Sequence, residues 1–175
     1  METLSYTASL IATVLGLLEP FGKKMKTILT LNFLGNLLVG TSYLLIGGIG
    51  GAAICFTACV QVLINYTFDA RNRKVPTWLI VLEAGVFLAI NIVSFAYWYD
   101  ALALAAALLF VLSVSQSSAK HYRVLYMSNS MIWIAYDFLA GAYGNLFTHV
   151  VLFVSTMAAI FLRDIKNRKK DAAQQ

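Results

Sequence analysis

Asp137 stands in an apolar run, with Ile134 and Ala135 before it and Phe138 and Leu139 after. A carboxylate at the centre of a membrane helix costs about 2.5–3.5 kcal/mol on insertion scales, so it is a candidate functional group by default. Asn129, Trp133 and Asp137 follow i, i+4, i+8 and share one helix face. Asn32, Asn36 and Tyr43 follow i, i+4, i+11, and Thr57, Gln61 and Asn65 follow i, i+4, i+8, giving two further polar stripes. His149 belongs to the outer third of the last apolar segment. Amides donate and accept, an indole stacks, and a carboxylate takes donors, so these groups together suit a sugar, a nucleoside or a heterocycle. Stripes turned toward a common axis would line a polar cavity with Trp133 as its aromatic wall. The substrate-binding set predicted here is Asn32, Asn36, Gln61, Asn65, Asn129, Trp133, Asp137 and His149.

The same residues have a plainer use. Asn, Gln, Ser and Thr hold membrane helices together, typically at under ~2 kcal/mol per contact. Asp137 itself has three readings: it holds a ligand's donor, it relays protons, or it pairs with a neighbour such as His149 or Asn36. Glu83 is a weaker candidate, with a hydrogen bond within helix packing as its expected role. Cys55 and Cys59, spaced i, i+4, read as small buried hydrophobes, since a third metal ligand is not evident nearby. No His-Glu-x-x-His, no Gly-x-Ser-x-Gly and no Asp-rich transferase motif occurs. The chain is therefore not expected to be an enzyme, to hold a metal or to carry a cofactor.

The elements that position these residues follow from charge. All 13 Lys and Arg fall in four clusters: Lys23/Lys24/Lys26, Arg71/Arg73/Lys74, Lys120/Arg123 and Arg163/Lys166/Arg168/Lys169/Lys170. One apolar segment precedes the first cluster, and the apolar chain between clusters is long enough for two crossings each time. A crossing takes about 20 residues, because ~1.5 Å per residue must cover ~30 Å of hydrocarbon. Seven helical spans follow, at about 4–19, 27–46, 50–68, 77–95, 101–117, 122–141 and 145–163. Positive loops stay inside, which predicts an outer N-terminus and a cytoplasmic C-terminus. His121, beside Lys120, reads as a solvated loop residue. Composition agrees: 60% of residues are hydrophobic, 12% are charged, and mean hydropathy is +0.76. With the spans consuming most of the chain, no soluble catalytic domain fits. Basic residues divided over four loops do not make a nucleic-acid surface. The partners expected are the lipid bilayer and a small polar solute, with monomer and homo-oligomer both open.

Pro20 ends the first span, and Pro76 opens the fourth, where a missing N–H does little harm. The Gly47–Gly51 and Gly141–Asn145 segments read as tight outer turns. Trp78, Tyr97, Trp98 and Tyr99 fall at predicted membrane boundaries, as in an aromatic belt. The chain also repeats. Asn32 maps on Asn129 at an offset of 97, and Gly47 and Gly50 map on Gly141 and Gly144 at 94. The first span then matches the fifth and the fourth is an unpaired linker. This predicts two parallel triple-helix bundles at 1–70 and 98–165, a linker helix at 71–97 and a basic tail at 166–175. Parallel repeats are a transporter design.

The three-plus-one-plus-three pattern resembles the superfamily of SWEET sugar transporters, PQ-loop proteins and PnuC-type vitamin transporters. More specifically, Trp133, Tyr136-Asp137-Phe138, Ala140-Gly141-Ala142, Gly144 and Arg163 resemble the YgjV family of bacterial inner-membrane proteins. The resemblance implies a multi-pass protein of the bacterial inner (plasma) membrane. The Pro-Gln dipeptide of PQ-loop proteins is absent, and Glu19-Pro20 and Ser115-Gln116 occupy roughly its positions. A facilitator working by alternating access is the leading expectation, with a non-transporting receptor or sensor and a structural membrane protein beside it.

Overall fold

The structure is a computed structural model that describes residues 2–45, 49–95, 97–141 and 143–165. Among these, seven α-helices and no strand occur: α1 Glu2–Leu18, α2 Met25–Leu45, α3 Ile49–Ala70, α4 Thr77–Ser94, α5 Asp100–Val114, α6 Ala119–Ala140 and α7 Tyr143–Ala159. Gly47, Gly48, Ala142 and the 166–175 tail with its basic residues lie outside the described residues, as do the side chains of Tyr43, Tyr143 and Asn145.

Local chemistry sets the helix ends. Pro20 has no N–H to continue α1, so the chain tightens into a 3₁₀ turn at Glu19–Phe21, and the Gly22 N–H closes it on the Glu19 carbonyl at 3.1 Å. At the end of α3, Asn72 takes a left-handed φ of 52°, which Asn tolerates better than most residues, and the Arg73 N–H returns to the Phe68 carbonyl at 2.9 Å. Pro76 is extended (φ −70°, ψ 143°) and caps α4. Gly141 ends α6 at φ +68°, the usual left-handed glycine stop. Helix α7 runs on into a π-helical segment, Ile160–Ile165.

Each of the seven apolar segments forms a helix, but two of the basic clusters lie differently from the loop expectation. Helix α6 begins at Ala119, so Lys120, His121 and Arg123 are helical. His121 is exposed, whereas Arg123 is only 2% exposed. Lys26 likewise sits in the first turn of α2. Among the described residues, two helical stretches are long and apolar enough to cross a membrane by themselves, Thr3–Phe21 and Leu146–Ile165. Helix α5 has 15 residues, roughly 22 Å at ~1.5 Å per residue, short of a full hydrocarbon core.

Contacts divide the chain into two compact units, Met1–Lys74 and Val75–Gln175. In the first, α2 packs against both α1 and α3. In the second, α6 packs against both α5 and α7, and α4 packs on α5, where Phe87 meets Phe110 edge-on at 6.3 Å. Buried polar side chains coexist with broad exposed apolar faces. Glu19, Asn32, Gln61, Asn65, Asn129 and Asp137 are buried, while Leu10, Val14, Val81, Ile92, Phe138 and Phe161 are exposed. Soluble monomers rarely show apolar faces this extensive. Lipid reverses the preference, since every polar group there needs an internal partner.

Candidate functional site

In the Val75–Gln175 unit, α6 and α7 bring three of the predicted residues together. Asp137 occupies the last turn of α6, nearer the helix end than its apolar flanks suggest, and is 1% exposed. His149 lies in the second turn of α7, and its Nδ1 is 2.6 Å from Asp137 Oδ2. A carboxylate oxygen accepts, so the Nδ1–H form of the ring donates and Nε2 is left on the far side. The imidazole side chain is 23% exposed, and no described residue bonds Nε2. Trp133, one turn before Asp137, stacks on the imidazole with centroids 5.4 Å apart and planes at 8°. Asp137 thus holds the ring's orientation, Trp133 covers one of its faces, and a nitrogen is presented outward.

The aromatic wall continues beyond Trp133. Tyr136 meets Trp133 edge-on at 5.4 Å and Tyr99 at 5.8 Å. Tyr99 stacks on Tyr97 at 5.2 Å and meets Trp98 at 5.9 Å. Asp100 anchors this end. It accepts from the Tyr97 N–H at 2.7 Å and takes a hydrogen bond from the Tyr136 side chain. Outside the helices, the Tyr99 phenol is pushed above its ordinary value, first by desolvation, then by Tyr97 and by the Asp100 carboxylate.

Asn129 is on the same helix as Trp133 and Asp137 but is committed elsewhere. Its Nδ2 donates to the Ala106 carbonyl of α5 at 2.6 Å. A buried amide bonded to a neighbouring helix backbone is packing glue.

The Met1–Lys74 unit has its own polar line. Asn36 Nδ2 donates to Asn32 Oδ1 at 3.0 Å, and Asn32 Nδ2 donates to Glu19 Oε1, also at 3.0 Å. Glu19 is 3% exposed, folded inward by the Pro20 turn. On α3, Cys59 Sγ lies 3.7 Å from the Phe33 carbonyl, and a Cβ on Gly40 would lie 3.1 Å from Cys55 Cβ. This antiparallel register brings Gln61 level with the Asn32 turn. Gln61 and Asn65 are buried, and Gln61, Asn65 and Thr57 each have interaction partners. Glu83 is buried in α4 and also partnered. Cys55 and Cys59 are free thiols, and no group of three His, Cys, Asp or Glu able to hold a metal occurs among the described residues.

Sequence reasoning passed over several of these residues. Glu19 was visible only as part of a dipeptide at a span end, where a carboxylate defaults to water. Arg123 belongs to a basic cluster at the start of the 122–141 span, where a charge defaults to water, yet it pairs with Asp164 at 2.5 Å. Ser5, Ser9 and Ser42 join α1 to α2 through hydroxyl contacts of 2.6 and 2.8 Å, and isolated serines send no signal above background.

An all-helical structure among the described residues, with exposed apolar faces and buried polar side chains, is consistent with a helical membrane protein. The chain belongs to the Imp-YgjV family, described as a bacterial inner membrane protein, whose model matches residues 3–168. Neither a curated protein nor a solved structure matches the chain.

Proposed function

We propose that this protein is a multi-pass transporter of the facilitator type, carrying a small polar metabolite across the bacterial inner membrane by alternating access. The observation that carries this reading is the Asp137–His149–Trp133 group. A buried carboxylate orients an imidazole whose outer nitrogen no described residue uses, within a family of inner membrane proteins. Support also comes from the shared pattern of the two units, in each of which a middle helix (α2 or α6) packs against both neighbours and carries buried polar residues. On this reading all seven helices cross the bilayer, the N-terminus is outside, α4 is the linker of a three-plus-one-plus-three arrangement, and the SWEET, PQ-loop and PnuC-type proteins are distant relatives. In the Val75–Gln175 unit, Trp133 and His149 contact solute and Asp137 positions the imidazole; in the Met1–Lys74 unit, Asn32, Asn36, Gln61 and Asn65 are the candidate polar groups.

For Asn129 the structural-protein reading is the better one, because its amide is spent on the Ala106 carbonyl. The test is transport in proteoliposomes, preceded by a thermal-shift screen of sugars, nucleosides, vitamins and amino acids. A ligand at 100 times its dissociation constant stabilises the fold by about 2.7 kcal/mol. Trp133→Ala and Asn36→Ala are expected to abolish flux of a hit while inserting normally. Retained flux in both would remove these residues from the site.

A further inference from the structure

The aromatic wall of the Val75–Gln175 unit has a charge pattern that the transport reading leaves unused. From Trp98 through Tyr99, Tyr136 and Trp133 to His149, ring centroids are 5.4–5.9 Å apart, an unbroken aromatic path. Trp98 is 71% exposed at one end and Asp137 is 1% exposed at the other. A carboxylate lies at each end: Asp100 against Tyr97 and Tyr136, Asp137 against His149. No Lys or Arg occurs between Lys74 and Lys120, nor between Arg123 and Arg163, so neither carboxylate has a fixed positive charge close by in sequence.

We infer that this path binds an organic cation with a small alkylammonium head. Ring faces carry negative quadrupole potential and attract an ammonium, more strongly as water is excluded. Asp100, which accepts from the Tyr97 N–H and the Tyr136 side chain at the partly exposed end, adds a carboxylate beside these rings. An anion would be repelled by the Asp100 carboxylate, and a neutral solute would gain only contact area. The tyrosines and Trp98 at the exposed end meet the cation first, and Trp133, held by its stack on His149, continues the wall inward. This narrows the polar metabolite of the transport reading, on which it rests for its physiological meaning, to one substrate class.

Choline is a suitable probe, because 3,3-dimethyl-1-butanol has the same shape without the charge. Isothermal titration of the detergent-purified full chain is expected to show choline binding at least about tenfold tighter than the neutral isostere. Trp133→Leu is expected to weaken choline binding about tenfold, and Trp133→Phe to restore most of it. Asp100→Asn, at the partly exposed end, keeps an acceptor for the Tyr97 N–H, and is expected to weaken choline without changing the isostere. Equal binding of the two probes, or none of either, overturns the cation site. Choline binding without choline uptake in proteoliposomes upholds the cation site and removes transport. Uptake of a neutral sugar or nucleoside without choline binding does the reverse. Nanodiscs of phosphatidylethanolamine and of phosphatidylglycerol separate the two sources of an ammonium: loss of choline binding only in the first assigns the site to a lipid headgroup, and equal binding in both assigns it to a free solute.

Discussion

His149 and Asp137 show how little a single residue's surroundings in sequence say about its use. A carboxylate flanked by Tyr136 and Phe138 announces itself, but its partner is on another helix, twelve positions away. Their 2.6 Å contact leaves Asp137 a positioning group for the imidazole rather than an open binding group. Asp137→Asn is therefore expected to lower stability by about 1 kcal/mol, in the range of polar contacts between membrane helices, and to lower flux by more than the loss of folded protein accounts for. Thermal denaturation and counterflow on the same preparations check it. Arg123 offers a sharper case, since it and Asp164 are both nine-tenths buried. Removing one partner of a buried pair leaves an uncompensated charge, at about 3–5 kcal/mol. Arg123→Met alone should destabilise by that amount, and Arg123→Met with Asp164→Leu should recover most of it. If the double variant is as unstable as the single one, the pair has a role beyond charge balance.

At the scale of elements, helix contacts in lipid depend on close approach and hydroxyl bonding, because burial of apolar surface drives nothing there. Gly40 of α2 faces α3 so closely that a Cβ would lie 3.1 Å from Cys55 Cβ and from the Phe56 ring. Gly40→Ala is expected to push these helices apart by a few tenths of an ångström and to cost about 1–3 kcal/mol, as overpacking does. Gly35, whose added Cβ would meet nothing within 4 Å, is the control. Gly35→Ala should be neutral or stabilising by up to about 1 kcal/mol, from helix propensity. Similar melting temperatures for the two variants would show that α2 and α3 do not depend on that approach. Gly141 works differently, since an alanine there has room but would be held at φ +68°, a left-handed strain of roughly 1–2 kcal/mol.

For the whole molecule the testable property is orientation. The four basic clusters predict reporter fusions active in the cytoplasm after Lys74, after Lys120 and at the C-terminus, and active outside after Tyr97 and Gly141. Cytoplasmic activity after Gly141 would break the seven-span scheme at α6, the helix that carries the site. The short α5 makes the fusion after Tyr97 informative too, because 15 residues span the bilayer only with flanking chain or local thinning.

The helices, their ends and the membrane class were legible in the sequence, because each depends on local physics. Apolar length makes a helix obligatory in lipid, Pro20 and Gly141 stop helices through their own backbones, and the basic clusters bias orientation one loop at a time. The candidate site was half legible. Trp133 and Asp137 share a face by helical geometry alone, so their proximity was readable. That His149 completes the group, that Asn129 turns instead to the Ala106 carbonyl, and that Glu19 folds under Asn32 are matters of which helix lies beside which. The same amide spacing serves a binding face or a packing face equally well, and only the neighbour's position decides between them. Arg123 makes the point from the other side: a positive charge near a helix start belongs in water until an Asp from the end of the next helix is brought within 2.5 Å of it.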